Sequence, residues 1–488
     1  MKKIIIALLF VAGTVMSQTG TSDKDVKSES RSDVKNEVKD HFKTAYDLYN
    51  EGKYLESIKE YSAYITDHPN DEGAYYNRGL GKYMMTDYKN AIIDYNYSIE
   101  KGRKKHDVYY SRGLCLFYLK KYEDAIKDFD QAIAINATYG KSHIYKAASL
   151  YYMDRFKEAL PVINTGIEND PKFEWGYYYR SLIRFYANDD LKGAYTDADM
   201  ALTLKHHADF FFQRGFVSLE QKKYEASIRD YDSVIGRTHK DADAYYNRGL
   251  AKFDMGDYEK AKEDFNKSIE VDPAKADAYH NRALCRFHLQ QYKEAITDFN
   301  GAIDLNPKFY KAYTFRGATY YMMQRYNDAL ADLNKSLSLK NDYESSYYYR
   351  AQVKYMLTND TGAISDCDKA LAIKQHADTY VQRGLSRYQM KDYTGAISDY
   401  NEAIKLNGKY AKAYLERGMV YFAQQNDAMA IPDFTKAIEF KPAYAEAYYY
   451  RGLSNNYLGN KTESCADLKK SNELKFDKAS AKLAELCK

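Results

Sequence analysis

Charge of one sign is what this 488-residue chain most clearly lacks: 72 Lys and Arg stand against 69 Asp and Glu, a formal balance of +3. So even a balance gives no electrostatic reason to expect nucleic acid or an anionic membrane as partner. Tryptophan occurs once, against 53 tyrosines, and there are five cysteines. None precedes Cys115, which argues against a lipid-anchored N-terminus. Catalytic signatures are missing: there is no HExxH, no GxSxG, no GxGxxG opening a helix after a strand, and no P-loop. The ten histidines are scattered, the adjacent His206 and His207 falling between two repeats, so neither a metal nor a cofactor is expected.

Long apolar runs are missing too. Ile4 to Val11 is too short to cross a bilayer comfortably, and with Lys2 and Lys3 before it and small residues after it, it reads as a secretory signal. Val15 and Ser17 suit the −3 and −1 positions of a cleavage site before Gln18. Residues 1–17 are therefore expected to be removed, and 18–37, charged and Ser-rich, to form a flexible leader. No integral membrane span is then expected in the exported chain.

What is present is a period. Arginine stands at Arg78, Arg112, Arg180, Arg214, Arg248, Arg282, Arg316 and Arg350, at steps of 34 or its double. After one step of 33 it resumes at Arg383, Arg417 and Arg451, and Lys146 alone breaks the series. A small residue follows each time, from Gly79 and Gly113 to Gly418 and Gly452. A second small residue stands 13 past the arginine, as at Ala91, Ala125, Ser227, Ala261 and Ser464. Small residues let two helix backbones approach, with Tyr88, Tyr122, Tyr224, Tyr258, Tyr292 and Tyr326 expected to fill the space beside them. Pro69, Pro171, Pro273, Pro307 and Pro442 end the second helix of a pair. A fixed period of this length predicts an all-α stack of helix–turn–helix units, each touching mainly its neighbours.

In ADAYYNRGLAKFDMGDYEKAKEDFNKSIEVDP, Tyr245, Gly249, Tyr258, Ala261, Phe265, Ser268 and Pro273 carry the spacing of the tetratricopeptide repeat family, which the chain resembles. The resemblance covers 38–477, about thirteen units including a degenerate first one. It implies a right-handed superhelical solenoid whose concave face, lined by first helices, takes extended peptides or proteins. The arginine departs from the family, which more often has leucine there. Sixteen residues on stands an aspartate, giving the pairs Arg78 with Asp94, Arg112 with Asp128, Arg248 with Asp264 and Arg282 with Asp298. In the unit with Lys146 that position is Val162. Partly buried bridges, within a unit or across neighbours, are expected to fix register. A row of arginines open to an anionic ligand is the competing reading.

A longer period overlies the short one. YYNRGLGKY at Tyr75 returns as YYNRGLAKF at Tyr245, Cys115 as Cys285 and YYYR at Tyr177 as YYYR at Tyr347, all shifted by 170. Units 2–6 and 7–11 thus read as a duplicated block of five.

The resemblance places the residue two before the arginine toward the concavity. Candidate contacts in that row are Tyr76, Tyr110, Tyr178, Phe212, Tyr246, His280, Tyr348 and Tyr449; Ile144, Thr314, Val381 and Leu415 occupy it elsewhere. Five residues after the arginine, along the same face, the candidates are Tyr83, Phe117, Phe185, Phe253, Phe287 and Tyr355, with Tyr151, Tyr321, Tyr388 and Phe422 in the same row. Such rings suit a protein or peptide partner, and they also suit sugar rings. Packing of the rings against the next unit is the plainer alternative.

Cys115, Cys285 and Cys367 sit at helix-face positions and are expected to be buried thiols. Cys465 lies in the last second helix and Cys487 in a capping segment, 478–488, on either side of a turn near Phe476, so antiparallel packing would bring them together. An oxidising exported setting favours a disulfide there, and a Cys…Cys ending is similar to that of exported bacterial members of the family. The whole reads as an exported, non-enzymatic scaffold serving envelope assembly or secretion, with glycan binding as the alternative. Mass spectrometry of the protein from its native source is expected to find Gln18 at the mature N-terminus, and a chain starting at Met1 would reject export by cleavage.

Overall fold

The structure is a computed structural model that describes residues 40–188 and 190–487. The signal and leader expected over 1–37 lie outside the described residues. No strand occurs among the described residues, and the chain divides into two compact bodies, Met1–Thr238 and His239–Lys488.

The first body holds α1 (His41–Asn50), α2 (Tyr54–Asp67), α3 (Glu72–Met84), α4 (Tyr88–Glu100), α5 (His106–Tyr118), α6 (Tyr122–Ile135), α7 (Gly140–Tyr152), α8 (Phe156–Asn169), α9 (Glu174–Asn188), α10 (Leu191–Leu204), α11 (Ala208–Glu220) and α12 (Tyr224–Thr238). The second holds α13 (Ala242–Asp254), α14 (Tyr258–Val271), α15 (Ala276–His288), α16 (Tyr292–Leu305), α17 (Tyr310–Met322), α18 (Tyr326–Leu339), α19 (Glu344–Met356), α20 (Asp360–Ile373), α21 (Ala377–Gln389), α22 (Tyr393–Leu406), α23 (Ala411–Ala423), α24 (Asp427–Phe440), α25 (Ala445–Tyr457), α26 (Lys461–Glu473) and α27 (Ala479–Leu486). The division falls between the two stretches that share the 170-residue sequence repeat. Odd and even helices pair as hairpins, and within each body every even helix also packs on the next odd one. First helices touch the next first helices, α7 with α9 and α17 with α19 among them, while second helices make no comparable contact with each other. The first helices therefore form the inner layer of each body and the second helices the outer.

Side-chain size sets the hairpin spacing, though not through the tyrosines expected to do it. A Cβ on Gly79 would lie 2.7 Å from the Tyr95 ring, and one on Gly384 2.6 Å from Tyr400. The ring 17 residues past the arginine thus occupies the room the glycine leaves. In the units of Ile163 and Cys367, which carry no ring there, the facing residue is Ala147 and Ala351. The tyrosine expected in that space packs instead on the ring at the end of its own first helix: Tyr83 on Tyr88 at 5.7 Å, Phe253 on Tyr258 at 5.3 Å.

Each arginine joins three elements. In the unit of Arg282, Nε and Nη2 donate to Asp298 Oδ2 and Oδ1 at 2.9 and 2.6 Å, tying α15 to α16. Nη1 donates to Asn266 Oδ1 at 2.7 Å, reaching α14 of the preceding hairpin. Tyr279, one turn back on α15, lies beneath the guanidinium with its centroid 5.3 Å from Cζ. The same clasp is made by Arg112 with Asp128, Asn96 and Tyr109, and by Arg350 with Asp366, Asn334 and Tyr347. Arg78 with Asp94 and Arg248 with Asp264 make the bidentate pair as well. Arg180 takes Asp197, one residue later than the usual register. Lys146 has no acid at Val162 and pairs only backward, to Asp130. A second cation one turn on reinforces some units, as Lys252 does on Asp264 and Arg286 on Asp298.

Burial opposes these bridges. It raises the carboxyl of Asp128 and of Asp399 above the usual range, against the lowering pull of Arg112 and Arg383. A folded-state pKa raised in this way gives a contribution present at low pH and lost as pH rises through the raised value. At these two acids desolvation outweighs the pull of the arginine, and geometry is what the clasp supplies.

The turns inside the hairpins are tight. Thr86, Lys120, Asp154, Lys222, Gln290, Gln324, Thr358, Lys391 and Gln425 all sit at φ between 58° and 62°. Among the described residues only Gly52, Gly256 and Gly459 hold the equivalent place without a Cβ. Asn359 N–H donates to Lys354 O at 2.8 Å, the long backbone bond that closes such a helix end. At the C-terminus α27 folds back on α26, and Cys465 is joined to Cys487 by a disulfide. Cys115, Cys285 and Cys367 are free and buried.

Asp264→Ala leaves Arg248 and Lys252 facing an empty buried site and should lower unfolding stability by about 3 kcal/mol; unchanged urea unfolding would reject the clasp. Thr358 is exposed and β-branched in a left-handed conformation, so Thr358→Gly should raise stability by about 0.5–1 kcal/mol. A loss on the same measurement would contradict the strain.

Candidate partner-binding face

The inner layer carries both rows of rings. In the row two before the arginine, Tyr76, Tyr110, Phe212, Tyr246, His280 and Tyr449 are buried, while Tyr178 and Tyr348 are half-buried. These side chains are held among their neighbours. Arg103 stacks over Tyr76 at 4.1 Å, and Asn281 Nδ2 donates to the Tyr246 hydroxyl at 3.0 Å. Gln352 Nε2 donates to the Tyr348 hydroxyl at 3.1 Å, and Tyr449 packs on Phe476 of the cap at 5.0 Å. His280 lies among Phe299, Phe309 and Phe315, and burial first, with Lys311 second, pushes its pKa down to about 3. It is a neutral ring at physiological pH.

The row five after the arginine separates the two bodies. In the first, Tyr83, Phe117, Tyr151 and Phe185 are all buried. In the second, Phe253, Phe287, Tyr321, Tyr355, Tyr388 and Phe422 are all half-buried. For Tyr83, Phe117 and Tyr151 the cover is a residue at the end of the next first helix, six past the arginine or Lys146. In the first body it is Tyr118, Tyr152 or Tyr186, which lies against Tyr83 at 6.2 Å, Phe117 at 5.7 Å and Tyr151 at 5.9 Å. The same tyrosines stack on the ring opening the preceding second helix, Tyr88 on Tyr118 at 5.2 Å and Tyr122 on Tyr152 at 5.2 Å. In the second body the place is taken by Met322, Met356, Gln389 and Ala423 in the middle units, while at its ends His288 lies against Phe253 at 5.6 Å and Tyr457 against Phe422 at 6.0 Å. Without a flat ring to close over them, Phe287, Tyr321, Tyr355 and Tyr388 keep an open edge.

A third inner position escaped the two-row reading: the residue immediately before the arginine. Tyr145 of α7 meets Tyr110 and Phe117 of α5 and Tyr179 of α9, all between 5.6 and 6.3 Å. Trp175 and Phe210 continue this lattice at 5.0 Å. The run YYYR at Tyr177 and Tyr347 was the available signal. Burial lifts the phenols of Tyr83, Tyr145, Tyr178 and Tyr179 well above the ordinary value, so they remain protonated donors. It likewise raises the Cys115, Cys285 and Cys367 thiols, Cys285 to about 12. Among the described residues no group of His, Cys, Asp and Glu is placed to hold a metal ion. No described helix is long and apolar enough to cross a membrane.

The family model described as tetratricopeptide repeat matches residues 106–139, 242–275 and 276–309. A second of that description matches 411–444, and one described as TPR repeat matches 384–425. No curated protein matches the chain. Among solved structures, the APC/C hetero-tetramer Cut9–Hcn1 is similar at 13% identity, over 91% of this chain and 95% of that one, with a TM-score of 0.46. A tetratricopeptide repeat protein from Parabacteroides merdae is similar at 19% identity, over 51% and 99%, with a TM-score of 0.41. YrrB, a TPR protein with an unusual peptide-binding site, is similar at 22% identity, over 38% and 97%, with a TM-score of 0.32. Each match to the family's repeat lies in the register set by the arginines, 242–275 spanning the hairpin of α13 and α14. The chain is a tetratricopeptide-repeat protein.

Proposed function

We propose that this chain is a non-enzymatic scaffold that holds an extended peptide or a protein partner against the first helices of its second body. One observation carries the reading: six successive rings, Phe253, Phe287, Tyr321, Tyr355, Tyr388 and Phe422, stay half-open where their counterparts in the first body are sealed. A ring fixed on one side and open on the other offers contact area with little rotamer entropy left to lose. Three of the six carry a hydroxyl able to donate to a peptide carbonyl. Envelope assembly or secretion after export is the setting proposed for this activity. The apolar stretch Ile4 to Val11 and the Cys465–Cys487 disulfide support it.

Affinity capture from a native envelope extract tests the reading with the full chain and the variant Tyr355→Ala with Tyr388→Ala. Both substitutions fall on half-buried positions, so the helical circular-dichroism signal should persist while partners captured by the parent chain are lost. The same partners recovered by both chains would contradict binding at this face. Competition by soluble oligosaccharide but not by peptide would assign the rings to glycans.

A further inference from the structure

Glu416 stands immediately before Arg417 on α23, the inner position that carries Tyr145 and Tyr179 in the first body. It is half-buried, and its carboxylate makes neither an ion pair nor a hydrogen bond among the described residues. Several acids near the start of other first helices are paired. Asp107 pairs with Arg103, Glu174 with Lys205 and Asp243 with Lys275. On α23 itself Arg417 is committed to Asp433 and Asn401.

Tyrosines surround the unpaired acid on both sides. Tyr388 of α21, Tyr400 of α22 and Tyr410 before α23 come from one hydrophobic cluster, Tyr444 before α25 and Tyr450 of α25 from the next. All five phenols are raised by burial first, and the charge of Glu416 is a further cause for each. The charged groups nearby are Lys412, one turn back on α23 and exposed, and Glu446 on α25; Asp378 on α21 accepts from the Tyr410 hydroxyl. Burial pushes the Glu416 carboxyl up to about 7, with Lys412 lowering it and Glu446 raising it.

We propose that Glu416 and its five tyrosines form a site for one cationic side chain, the lysine or arginine of a peptide segment lying on the first helices of the second body. This rests on the scaffold reading and supplies its partner chemistry. Ring faces and a partly desolvated carboxylate both attract a cation. An anion meets repulsion there, and an uncharged side chain leaves the acid as it was. The free chain holds an acid with nothing to answer it, and a lysine ammonium answers it while its methylenes lie along the rings.

The test uses the full chain and three labelled twelve-residue peptides that differ at one central residue: lysine, norleucine or glutamate. At pH 8 the lysine peptide should bind about tenfold tighter than the norleucine peptide by fluorescence anisotropy, the scale of a charge pair joined to ring contacts. The advantage should shrink toward pH 6, as Glu416 takes up a proton. Glu416→Gln should abolish the advantage and leave norleucine binding unchanged. Because a carboxyl raised in the folded state withholds stability above its pKa, Glu416→Gln should also unfold later than the parent at pH 8, which shows that the variant is folded. Equal binding of all three peptides overturns the cation site and leaves the scaffold reading standing. Binding of none overturns both. A lysine preference that survives in Glu416→Gln assigns recognition elsewhere and overturns the role of this residue.

Discussion

The packing of this protein depends on a guanidinium with three commitments. Arg282 takes an aspartate on its own second helix, an asparagine on the preceding one and a tyrosine one turn back on its own helix. The planar fork meets both acceptors at once and leaves a face for stacking, which an ammonium cannot do. Lys146 shows the difference, since it reaches only backward, in the one unit where Val162 replaces the acid. The family more often fills this place with leucine, whose contribution is buried area. Here desolvation of Asp128 and Asp399 outweighs the attraction. A polar clasp fixes the register and angle of each hairpin on the last, which is the demand a long array makes.

With register fixed, the faces are free to differ. Both bodies keep the arginines, with Lys146 the one exception, together with the small residues and most of the inner rings, yet they bury the rings to different extents. The first closes Tyr83, Phe117 and Tyr151 beneath Tyr118, Tyr152 and Tyr186. The second puts Met322, Met356 and Gln389 in the covering place, and Phe287, Tyr321 and Tyr355 keep an open edge. The residue in the covering place, a tyrosine at Tyr118, Tyr152 and Tyr186 but Met322, Met356 and Gln389 later, separates a sealed core from a candidate contact face. The unpaired Glu416 lies on the open side.

Much of the fold was legible because it is written in a period. The arginine spacing located the hairpins from α3 to α26, and the loss of the acid opposite Lys146 pointed to the pair. The second partner was legible too and was passed over: the Asn, Asp, Ser or Thr two residues past each acid, as at Asn96, Asn266, Asn300 and Asn334. Its role is invisible inside one unit, since it serves the arginine of the next. Exposure of the rings was not legible in their own row, because it depends on a neighbour 35 positions on, such as Tyr118 over Tyr83. Nor were the turns, where Thr358 and Lys120 adopt a backbone that sequence would assign to glycine. Glu416 was lost among many acids, and the burial of its unpaired carboxylate, visible only in the structure, sets it apart.

A double-mutant cycle between Arg282 and Asn266 tests most directly whether the clasp ties each hairpin to the one before. Urea unfolding of the parent, Arg282→Met, Asn266→Ala and the double variant gives the coupling across that boundary. A coupling of about 1–2 kcal/mol is expected for a partly buried, charge-assisted hydrogen bond. A coupling indistinguishable from zero would mean that the arginine serves only its own hairpin, and that the stacking of units is set by apolar contact alone.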